Sequence, residues 1–253
     1  MSSIYVINVG ANTSHGTRAR SPIFADGSFK YVSFPYLDDK SESPDYPAEI
    51  RPFVRPDRLA GWATHADPDW KHLTYGDYCF NARAGALTRV EPGDTLLFWG
   101  LLWKNTGENW FGFTGEQGWY LLGVLRVQHI LADRRSLSRL SRADQLRARA
   151  NAHFAGGTEL ASGHRVFLGH LASSAYFPKA VDLGASSPDG LLYRAFTTAD
   201  RRPLALSGEP RWSSSLRTCR CMWDLDVPED RARARLIQRA IGKLNDYDVL
   251  EGL

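Results

Sequence analysis

Short apolar runs bounded by turn residues dominate the first half of this chain, and helical spacing of apolar positions enters in the second half. That order predicts an α+β fold. Ile4 to Val9 reads as a first strand that ends in Gly10-Ala11-Asn12 and delivers a polar loop. Phe29 to Tyr36 alternates in the strand manner after Ser21-Pro22-Ile23-Phe24, with Asp26-Gly27 as the tight turn between them. Asp38 to Glu49 is acidic, poor in apolar residues, and reads as an exposed loop. Ala84 to Val90 predicts a short helix, and the turn Glu91-Pro92-Gly93-Asp94 launches a strand over Thr95 to Trp103. Lys104 to Gly118 then reads as a long hairpin connection to a returning strand, Trp119 to Ile130. The nearly unbroken Leu121-Leu122-Gly123-Val124-Leu125 belongs at the centre of a sheet or barrel, with Gly123 permitting close backbone approach or a bulge.

Farther on, Leu137, Leu140, Leu146 and Ala150 place a helix over Ser136 to His153, with Ser141 and Asp144 resembling a capping box that restarts it. Its other face carries Arg134, Arg135, Arg139, Arg142, Arg147 and Arg149, either a solvated face or a track for phosphates. Arg165 to Leu171 is another apolar strand, and Tyr176 to Leu183, which contains Lys179, reads as a short helix. Residues 184–190 and 197–215 are loop-like. Pro228 suits the first position of a last helix, whose buried stripe is Leu236, Ile237, Ala240, Ile241 and Leu244.

The length of 253 residues suits one domain over residues 1–253, because no linker or internal repeat divides it. A hydrophobic content of 43% with 23% charged residues is that of a soluble globular protein. Net charge is +3, which permits contact with a polyanion without requiring it. Arginine outnumbers lysine, a bias that suits phosphate and guanine edges but that a GC-rich genome also produces. Cys79, Cys219 and Cys221 form no CxxC pair, which excludes a disulfide framework or zinc ribbon and fits a reducing, cytoplasmic setting. No signal-peptide pattern opens the chain, and no run approaches the roughly 18 to 20 apolar residues of a membrane span, so no membrane partner is expected.

Candidate chemistry concentrates in His65-Ala66-Asp67-Pro68-Asp69-Trp70 and the following Thr74-Tyr75-Gly76-Asp77. Proline at 68 pushes Asp67 toward extended geometry, where alternate side chains share a face, so His65, Asp67 and Asp69 are expected to project together. An imidazole beside two carboxylates can bind a metal, move a proton or hold a base by hydrogen bonds. It is equally the composition of a turn that caps the aromatic segment after it.

Several separated motifs together resemble the nucleotide-modification-associated domain 3 family. They are Asn8-Val9-Gly10-Ala11-Asn12, Ser21-Pro22-Ile23-Phe24 with Asp26-Gly27-Ser28, His65-Ala66-Asp67-Pro68-Asp69, Thr74-Tyr75-Gly76-Asp77, and the pair Pro92 to Trp99 and Tyr120 to Val124. Asn151-Ala152-His153, Gly169 to Ser174 and Lys179-Ala180 look like later family positions. The resemblance implies a setting of altered bases in DNA, in bacteria and phages, and no particular reaction. More distantly, the paired strands resemble the hairpin of the PUA, ASCH and EVE barrels, which implies a barrel-like mixed sheet flanked by helices, with long loop insertions.

Two functions follow as expectations. One is an enzyme acting on a nucleobase or nucleotide, with His65 or Asp67 as general acid or base and Asp69 and Asp77 orienting it. Asn12 and Asn151 would then read a base or ribose edge, Arg18, Arg20 or Arg217 would hold phosphate, and Trp62, Trp70 or Tyr75 would stack. Ser21, Asp26, His153 and Lys179 complete the expected binding set. The other is a reader that takes a modified base into a pocket without changing it. DNA or a free nucleotide is the expected partner in both. No cofactor is named by these residues, and no metal is expected, since hard cations prefer more oxygen ligands than the segment places.

Overall fold

A computed structural model of the chain describes residues 2–11, 18–33, 35–36, 46–58, 63–81, 84–154, 160, 162–184, 190–191 and 219–245. Its centre is the antiparallel pair β6 (Thr95–Asn105) and β7 (Phe113–Leu131). Strand β1 (Ser3–Asn8) runs parallel to β6 and pairs on its other side with β10 (Cys219–Asp224). The long β7 continues past β6 to pair with β8 (His164–Gly169), and β8 pairs with the edge strand β5 (Thr74–Tyr78). Strand β2 (Ser21–Ile23) joins the far end of β6, and β9 (Ala175–Asp182) joins β7. These eight strands form one mixed sheet in an α+β fold, as expected, but among the described residues it runs from β10 to β5 without closing, so it is open where a barrel-like sheet is expected. A small ribbon pairs β3 (Pro35–Tyr36) with β4 (Ala63–Thr64).

Period-two alternation along β6 explains the two cores. Leu97, Trp99, Leu101 and Trp103 face one side, where Trp119, Leu121, Trp223 and the helix α3 (Pro228–Asn245) pack on them. Leu96, Phe98 and Leu102 face the other, with Ile7, Leu122, Leu125, Tyr75 and Phe167. Each such side chain, fully buried, contributes about 1.5–3 kcal/mol of transfer free energy. The fully buried α3 positions are Ala234, Ile237 and Ile241, with Leu236 and Ala240 partly buried beside them, while Leu244 is 45% exposed although Asn245 accepts the Lys179 N–H of β9 at 2.8 Å.

Four expected elements differ. Phe29 to Tyr36 is not one strand: Phe29 makes an isolated bridge to Ile23, residues 30–33 lie in no strand, and β3 is only Pro35–Tyr36. The connection between β6 and β7 is only Thr106 to Gly112, because the polar Thr114 to Gln117 stretch is already strand. That part of the ribbon is exposed, so it lacks the apolar alternation that marks a strand. Tyr176 to Leu183 is not helical: β9 covers it, and Lys179 sits on a strand. The β7–β9 register jumps from Leu121↔Val181 to Gly123↔Tyr176. Such a bulge, which holds Pro178, erases period two and leaves helix-like spacing. The expected Ser136 to His153 helix is three pieces: α1 (Arg134–Ser138), α2 (Arg142–Ala150) and a 3-10 turn at Ala152–Phe154. Asp133 caps α1 reciprocally with Ser136, and Ser141 accepts from the Asp144 N–H to start α2 anew.

Gly123 is a site of close approach, as its place in an apolar run suggests. A Cβ there would meet the Trp70 ring at 2.5 Å and the Ala175 carbonyl at 2.7 Å. Trp70 is thereby locked over the sheet, edge-on to Phe98 and Tyr31. This anchors the segment that carries the candidate chemistry.

Candidate functional site

Residues 65–69 leave β4 and cross beside β5, the edge of the sheet. An edge strand presents backbone groups that its single neighbour cannot satisfy. At Gly76 the answer is a side chain: its N–H donates to both carboxylate oxygens of Asp67, at 3.0 and 3.1 Å. Asn151, placed by the end of α2, donates through Nδ2 to Asp67 Oδ1 and to Thr74 Oγ1, both at 3.0 Å, and accepts the His153 N–H on Oδ1 at 3.0 Å. The Tyr31 hydroxyl donates to the Asp67 carbonyl at 2.6 Å. Asp67 is 5% exposed, and the Asp67–Pro68 peptide is cis.

Two imidazoles flank this carboxylate. The His65 and His153 rings lie edge to face with centroids 4.8 Å apart. His153 Nε2 lies 3.5 Å from Asp67 Oδ2 and is buried, with no hydrogen bond of normal length among the described residues. A third ring, His164, has its centroid 5.1 Å from that of His153, and its Nδ1 is likewise buried with no hydrogen-bond partner among the described residues. One donor atom from each of His65, Asp67 and His153 falls within 4.8 Å of the others, so an ion could be held among them.

Burial pulls the His65 pKa down, against the pull of Asp67 and with help from His153 and His164. Burial acts the same way on His153, yet Asp67, Asp77 and the Gly76 backbone outweigh it and raise that pKa. Burial raises the Asp77 carboxyl, opposed by the Tyr75 hydroxyl that donates to Oδ2 at 2.7 Å. The cluster therefore holds an imidazole inclined to be neutral beside one inclined to be charged.

Of the expected site residues, the structure brings together His65, Asp67, Asn151 and His153, with Asp77 one strand position past Gly76. Asp69 does not share their face, against the expected alternation. Its Oδ1 accepts the N–H groups of Lys71 and His72, and Oδ2 lies 2.6 Å from His72 Nδ1, so it caps the turn that returns to Thr74. Tyr75 is 3% exposed, stacked on Phe167 in the core, and presents no ring face to a ligand. Ser21 is buried and straps Val32 through both backbone groups. Asp26 closes its own turn on Ser28, and the Lys179 side chain packs on neighbouring Gly27. Arg20 lies over the Trp110 and Phe113 rings. Asn12, Trp62 and Arg217 lie outside the described residues.

Sequence reasoning did not single out Gly76, Thr74, His164 or Arg147 as site-builders. Gly76 carried a usable signal, a glycine inside a strand, which marks close approach. A Cβ there would run into the His153 ring and sit 2.9 Å from Asn151 Oδ1. Arg147, read as part of a basic face, is instead a clamp: it donates to the carbonyls of His72, Leu73 and Gly169 and pairs with Asp144. His164 carried no signal, since an isolated histidine at a strand start is unremarkable.

On the reverse of the same segment lies a cavity of about 360 Å³. Thr64, Ala66 and Pro68 line it, with Phe29, Tyr31, Tyr46, Trp70 and Tyr176, while Lys30 and Lys71 stand at its edge. The chain between Thr64 and Lys71 is thus a partition with aromatic groups on one side and the His–Asp cluster on the other. Among the described residues no helix is long and apolar enough to cross a membrane.

A family model described as nucleotide modification associated domain 3 matches residues 3–230. No curated protein and no solved structure matches the chain.

Proposed function

The chain belongs to the nucleotide modification associated domain 3 family, and from that membership and the buried cluster we infer an enzyme of nucleotide modification whose reaction centre is His65, Asp67 and His153. One observation carries this reading. A carboxylate removed from water accepts three hydrogen bonds and is flanked by imidazoles from segments more than 80 positions apart in the chain. Burying such a group costs several kcal/mol, and sites that sustain that cost around titratable groups are where chemistry is concentrated. Asp67 is the anchored carboxyl group, and His65, inclined to be neutral, offers a lone pair to a proton or a Lewis acid. Asn151 and Gly76 are positioning residues: their hydrogen-bonding groups are spent on the cluster itself.

The substrate is a nucleobase or nucleotide, free or in DNA. Mass spectrometry of nucleosides from cells that carry the wild-type chain, Asp67→Asn or His65→Ala tests the reading. Loss of a modified nucleoside in both variants supports it. Unchanged nucleosides, with both proteins folded, overturn it.

A reader is the second reading, and the aromatic cavity favours it. A planar base could stack among Tyr46, Trp70 and Tyr176, with Lys30 or Lys71 near a phosphate. A reader would prefer modified over plain DNA in a salt-dependent way, give no product with any nucleotide, and be indifferent to His65→Ala.

A further inference from the structure

We propose that His65, Asp67 and His153 together bind one divalent transition-metal ion of the zinc, manganese or iron(II) class. This rests on the reading that the cluster is the reaction centre, and it names what the imidazole lone pairs are for.

The donor set comes first. Two imidazole nitrogens and one carboxylate oxygen lie within 4.8 Å of one another, two of them from a tight turn in which the Asp67 N–H donates to the His65 carbonyl at 2.8 Å, and the third from beyond α2. Two nitrogens with a single anionic oxygen suit borderline transition metals and leave coordination positions open for substrate or water. Magnesium and calcium, which want oxygen ligands and more of them, are poor fits. The expectation of no metal considered only His65 and its neighbouring aspartates. His153, brought in by the fold, changes the class of ion the site suits.

Second, His153 Nε2 is buried and, among the described residues, makes no hydrogen bond of normal length; it faces Asp67 Oδ2 at 3.5 Å, an ion-pair distance that an ion held by both would bridge.

Third, the ligands have a supporting shell of the kind metal sites use. The Gly76 N–H meets both oxygens of the Asp67 carboxylate and fixes its orientation, with Oδ2 turned toward His153 Nε2. One amide, Asn151, holds the carboxylate with its Nδ2 and the His153 backbone with its Oδ1, so two ligands from distant segments share a single brace. Ligand bonds of about 2.0–2.2 Å require the imidazoles to swing slightly inward on loading.

The test uses untagged full-length protein, stripped with a chelator and then titrated with zinc, manganese or iron(II) salts, with bound metal counted by mass spectrometry and heat followed by calorimetry. The proposal expects about one equivalent of at least one of these ions. Affinity should fall at least tenfold in His65→Ala and in His153→Ala, and less steeply in Asn151→Ala. His170→Ala, an exposed turn histidine, should bind as wild type. Thermal unfolding of each stripped variant checks that it folds, and His153→Gln replaces His153→Ala where it does not. Wild-type protein that takes up no ion overturns the proposal, as does undiminished affinity in the His65 and His153 variants. The function inferred above fails separately. If modified nucleosides vanish in Asp67→Asn while wild type binds no metal, the reaction centre stands and the ion falls.

Discussion

The N–H of Gly76 and the carboxylate of Asp67 meet face-on, with both oxygens within 3.1 Å of one donor. A backbone group at a sheet edge thereby holds a side chain from a neighbouring segment, and the absence of a side chain at 76 lets the His153 ring close over the pair.

Gly76→Ala should therefore dismantle the cluster without unfolding the chain. The added methyl collides with the His153 ring and Asn151, an overpacking that costs about 1–3 kcal/mol. For a chain of this size that lowers Tm by roughly 2–4 °C per kcal/mol. Differential scanning calorimetry and the nucleoside assay check it together. A variant with normal Tm and normal nucleosides would show that His153 is free to move and the site is not built as described.

Asn151 is 0% exposed and spends Nδ2 on two acceptors and Oδ1 on a backbone donor. Asn151→Ala leaves those partners short, at about 1–3 kcal/mol for each buried group stranded. Asn151→Asp should be worse at neutral pH, because a second carboxylate replaces the donor beside Asp67. Its deficit should shrink as pH falls and one of the two carboxyls takes a proton. Chemical denaturation at several pH values separates the variants. Equal losses with no pH trend would rule out the contact with Asp67.

How much of this was legible beforehand depends on whether the evidence was local. The central strands, the launch of β6 after Asp94, the close approach at Gly123 and the restart at Ser141 all follow from side chains within a few positions of one another. The composition of 65–69 marks the segment but does not place Asp69, because turn capping by an aspartate competes with strand alternation and here it wins. What could not be read was the partner. Asn151 and His153 look like the frayed end of a helix, and only the docking of α2 along β8 carries them to Asp67. An amide such as Asn151 suits a base edge by type, but here its hydrogen bonds go to Asp67, Thr74 and His153.

Arg147 offers a test of the same docking. Its guanidinium spans three backbone carbonyls and Asp144, a fork that a lysine ammonium cannot reproduce. Arg147→Lys should cost about 1.5–3 kcal/mol, whereas Arg149→Lys, on the exposed side of α2, should stay within about 0.5 kcal/mol of wild type. Denaturant midpoints decide between them. If DNA binding is found, Arg147→Lys should leave its salt dependence unchanged, since this guanidinium is already committed inside the protein.

Cys79 extends the argument to alkaline pH. It is 1% exposed, directly after the edge strand β5 and packed in the core, and burial, with Asp77 adding to it, pushes its thiol up to about 12. In the unfolded chain the thiol ionises near ~8.5. The folded state thus keeps a proton that the unfolded state releases, so this contribution to stability is whole below about pH 8.5 and is lost as pH rises toward the folded value. The slope attributable to one such group approaches ~1.4 kcal/mol per pH unit. Cys79→Ala should therefore show a shallower decline in denaturation midpoint between about pH 9 and 11 than wild type, with the buried tyrosines Tyr31, Tyr46 and Tyr176, all raised by burial, contributing equally to both. At pH 8 iodoacetamide should leave Cys79 unmodified in native protein and label it once the chain is unfolded, read by peptide mass spectrometry. Rapid native labelling would mean that the edge strand opens readily, and the carboxylate held by that strand would then lack the rigid support its role demands.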